Sequence, residues 1–187
     1  MTLILVIPAT DGVVVASDGQ VTAGLVRWPG EKIKKLNSSC LWAASGELAL
    51  IQRVEERIAA SSREQPLQSL RDHLAGIVMQ SVTTLLGLDF RTPFFQASPE
   101  SLLQLHPGDF VFVEWRNEAM IIHVTANGTP EWTTMTFASG SGNLFAYALL
   151  QRYQGVATDI LRASLLAFKV IEEAIEVGSY GLGPPIY

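Results

Sequence analysis

The second residue is a threonine at the head of an apolar run, residues 3–7. Removal of Met1 leaves a hydroxyl and a free α-amine on Thr2, and an amine of ordinary pKa near ~8 can serve as general base for its own hydroxyl. In Ser17-Asp18-Gly19-Gln20-Val21-Thr22-Ala23-Gly24 an acid ends an apolar strand and is trailed by small, turn-capable residues. Its carboxylate is placed either to orient a lysine or to close the turn by hydrogen bonding. In Lys32-Ile33-Lys34-Lys35-Leu36 an extended chain puts Lys32 and Lys34 on one face and Lys35 on the other. A lysine aimed inward lowers the pKa of a nearby hydroxyl and assists proton transfer, whereas Lys34 and Lys35 read as a solvated strand edge. Ala43-Ala44-Ser45-Gly46 runs directly into helix signals, a place where a backbone N–H can face an oxyanion. Ser139-Gly140-Ser141-Gly142-Asn143 opens a later helix and reads equally as an N-cap with turn glycines.

Other chemistries have less to stand on. His73, His106 and His123 are far apart, and none pairs with another His or Cys at metal-ligand spacing, so no metal site is expected. Trp28, Trp42, Trp115 and Trp132 read as packing residues. A formal net charge of -5 with scattered Lys and Arg gives no basic stripe for nucleic acid. Cys40 is the only cysteine, which rules out an intrachain disulfide and points to a reducing, cytoplasmic setting. The opening run lacks a basic flank and is interrupted by Asp11, so neither a targeting segment nor a membrane span is expected.

The elements that must position these residues follow from hydrophobic spacing. A chain of 187 residues, 48% hydrophobic, suits one domain spanning 1–187. Residues 3–7 and 13–17 form a hairpin about Thr10-Asp11-Gly12, Trp28-Pro29-Gly30 marks a turn, and 33–36 and 40–45 are further strands. Four strands are thus expected before any helix. Leu48, Ile51, Val54 and Ile58 recur at helical spacing, and a second helix covers 67–86 with Leu70, Leu74, Ile77, Val78, Val82 and Leu85 inward. Strand signals return at Phe94-Phe95, 110–115 and 120–124, with turns at Arg116-Asn117-Glu118 and Asn127-Gly128. Helices over 143–153 and 158–176 precede a Gly- and Pro-rich tail. Strands, paired helices, strands and paired helices imply an α/β (α+β) fold: a four-layer sandwich of two antiparallel sheets flanked by helices.

In this order the five motifs resemble the β-subunits of the proteasome and the HslV-type protease, members of the N-terminal nucleophile (Ntn) hydrolases. The stretch Asp18-Gly19-Gln20-Val21-Thr22-Ala23-Gly24 is the most similar, and the resemblance covers nearly the whole chain. It implies Thr2 as nucleophile, Asp18 as partner of the catalytic lysine, Lys32 as that lysine with Lys34 second, Gly46 as oxyanion donor and Ser141 as contact of the nucleophile's amine. Thr22 then binds substrate backbone, and Val21, Ala44 and Leu48 line an apolar specificity pocket. No metal or organic cofactor is implied. The acid that proteasome subunits place near the end of the last long helix has no counterpart in Gly178-Ser179-Tyr180-Gly181, and Glu173 and Glu176 are out of register.

The implied activity is that of a threonine peptidase acting on unfolded proteins or peptides, inside a homo-oligomer of two stacked rings of six or seven subunits. An ATP-dependent unfoldase is a possible partner. The apolar helix faces at 48–58 and 67–86 are expected to pack ring against ring. The rival readings are an Ntn amidase for a small amide and a non-catalytic ring subunit.

Overall fold

Strand β1, Ile4–Pro8, is buried on both sides. Leu3, Leu5 and Ile7 face one apolar cluster, whereas Ile4 and Val6 face another, which is why the run is continuously apolar instead of alternating. In a computed structural model that describes residues 2–23, 25–61, 64–89, 107–125, 128–153, 159–177 and 181–187, β1 is the central strand of a three-stranded antiparallel sheet. Its neighbours are β2, Val13–Ser17, and β10, Phe137–Ser139.

A second, five-stranded antiparallel sheet runs in the order β5, Ile33–Lys35; β6, Cys40–Gly46; β7, Gly108–Trp115; β8, Ala119–Thr125; β9, Pro130–Thr133. The inner faces of the two sheets meet through Ile4, Val6, Ala43, Val111, Val113 and Ile121. On the outer face of the five-stranded sheet, Trp42 stacks between Phe110 and Phe112 at 6.4 and 6.2 Å. Helices α1, Leu48–Ala60, and α2, Leu67–Thr84, cover that face, and α2 runs on into a π-helical turn, Leu85–Asp89. Helices α3, Asn143–Arg152, and α4, Ile160–Glu176, cover the other sheet through Ala146, Ala163, Ala167, Val170, Ile171 and Ala174. The expected four layers are present, each side chain of Leu, Ile or Phe size contributing about 1.5–3 kcal/mol on full burial.

Helix starts are held from neighbouring elements. Glu114 of β7 reaches across to accept the Leu67 N–H at 2.9 Å at the head of α2. Asp159 accepts from Arg162 N–H at 2.8 Å, and Asp11 in the β1–β2 turn accepts from Ile160 N–H at 2.7 Å.

Several expectations change. A hairpin of β3, Gln20–Ala23, and β4, Val26–Pro29, occupies the stretch read as a turn, so six strands precede the first helix. Every residue of β4 is exposed, which removes the burial alternation that would have marked it. The short strands β9 and β10 were also unmarked. In α1 the core contacts come from Leu50, Val54 and Ile58, while Leu48 turns outward. The apolar faces of α1 and α2 are largely taken up by their own sheet, with Leu48 and Met79 left exposed. It is α3 and α4 that expose Leu144, Phe145, Leu161, Leu165 and Phe168. Phe94-Phe95, His106 and Asn127 lie outside the described residues, as do residues 178–180. No helix among the described residues is long and apolar enough to cross a membrane.

Candidate active site

Thr2 is buried at the entry to β1, and the loop between β10 and α3 folds over it. Its N–H donates to Ser141 Oγ at 3.3 Å, and its carbonyl accepts from Gly142 N–H at 3.3 Å. Gly140 makes this closure possible, because its φ is +93° and a Cβ there would run into the Thr2 carbonyl.

Asp18 follows β2 and is fully buried. Its Oδ1 accepts from Lys32 Nζ at 2.6 Å and from Leu3 N–H at 2.8 Å, and its Oδ2 accepts from the N–H groups of Gln20 at 3.2 Å and Gly183 at 3.3 Å. The last contact comes from the C-terminal tail, where Ser17 and Tyr187 exchange both backbone bonds at 3.0 and 2.9 Å and Ile186 bridges Asp18. Burial pushes the Lys32 pKa down, and the Asp18 charge and hydrogen bond only partly restore it. Lys34 pairs instead with Glu55, with Nζ and Oε1 2.6 Å apart, so the two candidate lysines line one cavity but only Lys32 reaches Asp18.

Two cavities open beside Thr2. The larger, about 550 Å³, has Val21, Thr22, Ala44 and Leu48 in its lining with Thr2 and Lys32, and also the charged Glu31, Lys34, Glu47 and Glu55. The smaller, about 270 Å³, lies on the Ser141 side, and Gly46 borders both. Gly46 has φ +128°, and a Cβ there would strike the Pro107 carbonyl and Gly108. Thr2, Asp18, Lys32, Gly46 and Ser141 are therefore drawn together from β1, β2, the approach to β5, the end of β6 and the head of α3.

Residues 2–87 match the family model described as Proteasome subunit. The whole chain superposes on the solved structure of the Anbu (Gly-1) mutant from Hyphomicrobium sp. strain MC1 with a TM-score of 0.77. The fold is that of the proteasome-type Ntn hydrolases. The superposition covers 100% of this chain and 79% of that one at 15% identity, so the likeness is one of fold. No curated protein matches the chain in sequence.

The proteasome-type fold also brings to the site residues that sequence reasoning passed over. Asp109 lines the smaller cavity, but it precedes the strand expected at 110–115, and only the pairing of Gly108 with Gly46 extends that strand back to include it. Ser45 and Ser139 were noted within their motifs, yet nothing in the sequence signals that their hydroxyls meet at 3.0 Å across the two sheets. The tail gave no sign that Gly183 would bind Asp18.

Proposed function

We propose that this chain hydrolyses amide bonds of unfolded proteins or peptides through Thr2, once Met1 has been removed. One observation carries the reading: Thr2 and Lys32 line the same cavity, and Asp18 Oδ1 binds both Lys32 Nζ and the Leu3 N–H next to Thr2. In this scheme the Thr2 α-amine, beside Ser141 Oγ, takes the proton of the Thr2 hydroxyl, and the Lys32 ammonium favours the alkoxide. Oγ1 attacks the scissile carbonyl carbon, and the Gly46 N–H stabilises the oxyanion, a role worth ~3 kcal/mol. The C–N bond breaks, the amine leaves with the proton, and water then cleaves the Thr2 ester and restores the hydroxyl. The scheme calls on no metal or organic cofactor.

A peptide suits the site better than a small amide, because two cavities meeting at Thr2 make a groove open on both sides where a small-amide enzyme needs a closed pocket. By family likeness the proposal extends to a cytoplasmic homo-oligomer of two stacked rings of six or seven subunits, with an ATP-dependent unfoldase as a possible partner. Intact mass of the purified protein after treatment with a peptide β-lactone tests the reading. The expected result is loss of Met1 and one adduct per chain, absent in Thr2→Ala together with peptide hydrolysis. Undiminished turnover by Thr2→Ala removes the threonine mechanism, and a processed wild-type chain that neither reacts nor hydrolyses favours a scaffolding subunit.

A further inference from the structure

The smaller cavity shares Thr2, Gly46 and Ser141 with the mechanism above, and it also holds an ionisable side chain that the mechanism does not use. Asp109, the second residue of β7, lines it beside Thr2, Ser45, Gly46 and Gly140, and is the one charged side chain among the described residues that do so. Its carboxylate is held in place from several strands. Oδ2 accepts from Ser139 Oγ of β10 at 3.3 Å, Ser139 Oγ meets Ser45 Oγ of β6 at 3.0 Å, and Oδ1 lies 3.3 Å from His123 Nε2 of β8. Ser45 and Ser139 are buried, and the His123 ring packs against Phe137 at 4.7 Å between centroids. The Asp109 side chain is itself 34% exposed. The two sheets thus fix a carboxylate at the cavity wall while leaving part of it open, an arrangement that pre-organises a binding group.

Acyl transfer gives the two cavities different halves of the substrate. Thr2 and Gly46 border both, so a carbonyl placed between them sends its acyl half to one side and its amine half to the other. On the reading above, the larger cavity, whose lining includes Val21, Ala44 and Leu48 together with Lys34 and Glu55, takes the acyl side chain. The amine half then crosses the smaller one, where glycines at 46, 108 and 140 keep side chains out of its path.

We propose that the smaller cavity binds the residue on the amine side of the scissile bond and that Asp109 selects a cationic side chain, Lys or Arg, at that position. The assignment rests on Thr2 being the nucleophile. The selected residue departs with the amine when the C–N bond breaks and Thr2 Oγ1 holds the acyl group, so Asp109 influences acylation and has no contact with substrate during ester hydrolysis.

The test uses internally quenched peptides identical on the acyl side and carrying Lys, norleucine or Glu as the first residue after the scissile bond. Wild type is expected to prefer Lys over Glu about tenfold in kcat/KM, the scale of one partly screened ion pair, and Asp109→Asn to reduce the ratio to about twofold. The ratio cancels any general loss of activity, since both peptides form the same acyl-enzyme; a merely structural role would lower both rates alike. Salt should shrink the wild-type ratio by screening, a measurement that carries the test by itself if Asp109→Asn does not fold. Equal cleavage of the Lys and Glu peptides by wild type, a ratio insensitive to salt, or a preference unchanged in Asp109→Asn overturns the assignment and leaves the nucleophile standing. Absence of both hydrolysis and the β-lactone adduct removes the Thr2 reading, and this assignment with it.

Discussion

Lys32 Nζ stands 2.6 Å from Asp18 Oδ1, with the lysine side chain 7% exposed and the aspartate 0%. The two partners are not equivalent. Without the lysine, Asp18 keeps the N–H groups of Leu3, Gln20 and Gly183; without the aspartate, the buried ammonium and those N–H groups all lose the acceptor they share. Asp18→Ala is expected to destabilise by about 3–5 kcal/mol and Lys32→Met by about 1–3 kcal/mol in urea unfolding. In peptide hydrolysis Lys32→Met should lose at least about a hundredfold in kcat, while Lys34→Met loses less than about tenfold, chiefly through KM. Reversed lysine effects would reassign the catalytic cation.

Two glycines should respond oppositely to alanine. Gly140→Ala forces a Cβ into the Thr2 carbonyl at φ +93°, and a loss of about 2 kcal/mol or more with near-complete loss of adduct formation is expected. Gly76 lies inside α2 with nothing near its missing Cβ, so Gly76→Ala should stabilise by roughly 0.5–1 kcal/mol. Thermal unfolding and adduct mass read both. Destabilisation by Gly76→Ala would mean that α2 has a partner on that side.

Glu114 links acid stability to the start of α2. Burial pushes its pKa up, but the Leu67 N–H, Arg116 and Ser39 outweigh it, and the net shift is downward from 4.5. A carboxylate with a lowered native pKa binds its proton less well folded than unfolded. Its contribution is therefore complete above 4.5 and fades as pH falls through the native value. Glu114→Gln should cost about 1–3 kcal/mol at neutral pH, with the difference from wild type closing as pH drops below that range. A difference independent of pH would mean that packing, not charge, is what the substitution removes.

The exposed apolar residues predict where subunits of the proposed assembly would meet. Leu161, Leu165 and Phe168 recur on one side of α4, with Leu144 and Phe145 exposed on α3. Leu161→Glu with Leu165→Glu is expected to lower the mass seen by light scattering to that of smaller species while circular dichroism stays unchanged. Charge placed on α1 at exposed positions should leave the mass as it was. If the α4 variant retains the full assembly, the contact lies elsewhere.

Much of the architecture was legible in residue spacing. The apolar run into Ile7, the repeat Leu70, Leu74, Ile77, Val78 and the strand pairs around Asn117 announced their elements, because burial on one or two faces imposes a period of its own. The hairpin from Gln20 to Pro29 had no such mark, since β4 buries nothing. In α1 the spacing marks Leu48, Ile51, Val54 and Ile58 and passes over Leu50. Only the seat of the helix on Trp42 and Phe110 turns Leu50 inward and leaves Leu48 to line the cavity by Thr2.

By itself the sequence determined the helices and the longer buried strands, and with the family resemblance it named Thr2, Asp18, Lys32, Gly46 and Ser141 as residues able to share one chemistry. Those properties depend on side-chain type and on neighbours within a few residues. That Lys32 and not Lys34 meets Asp18, that Gly183 completes the carboxylate's bonds from the far end of the chain, and that Asp109 joins Ser139 and His123 beside Thr2 were decided by the tertiary structure. Each of these contacts joins residues distant in sequence, and only the registers of the strands and the packing of one sheet on the other bring such partners within hydrogen-bond reach.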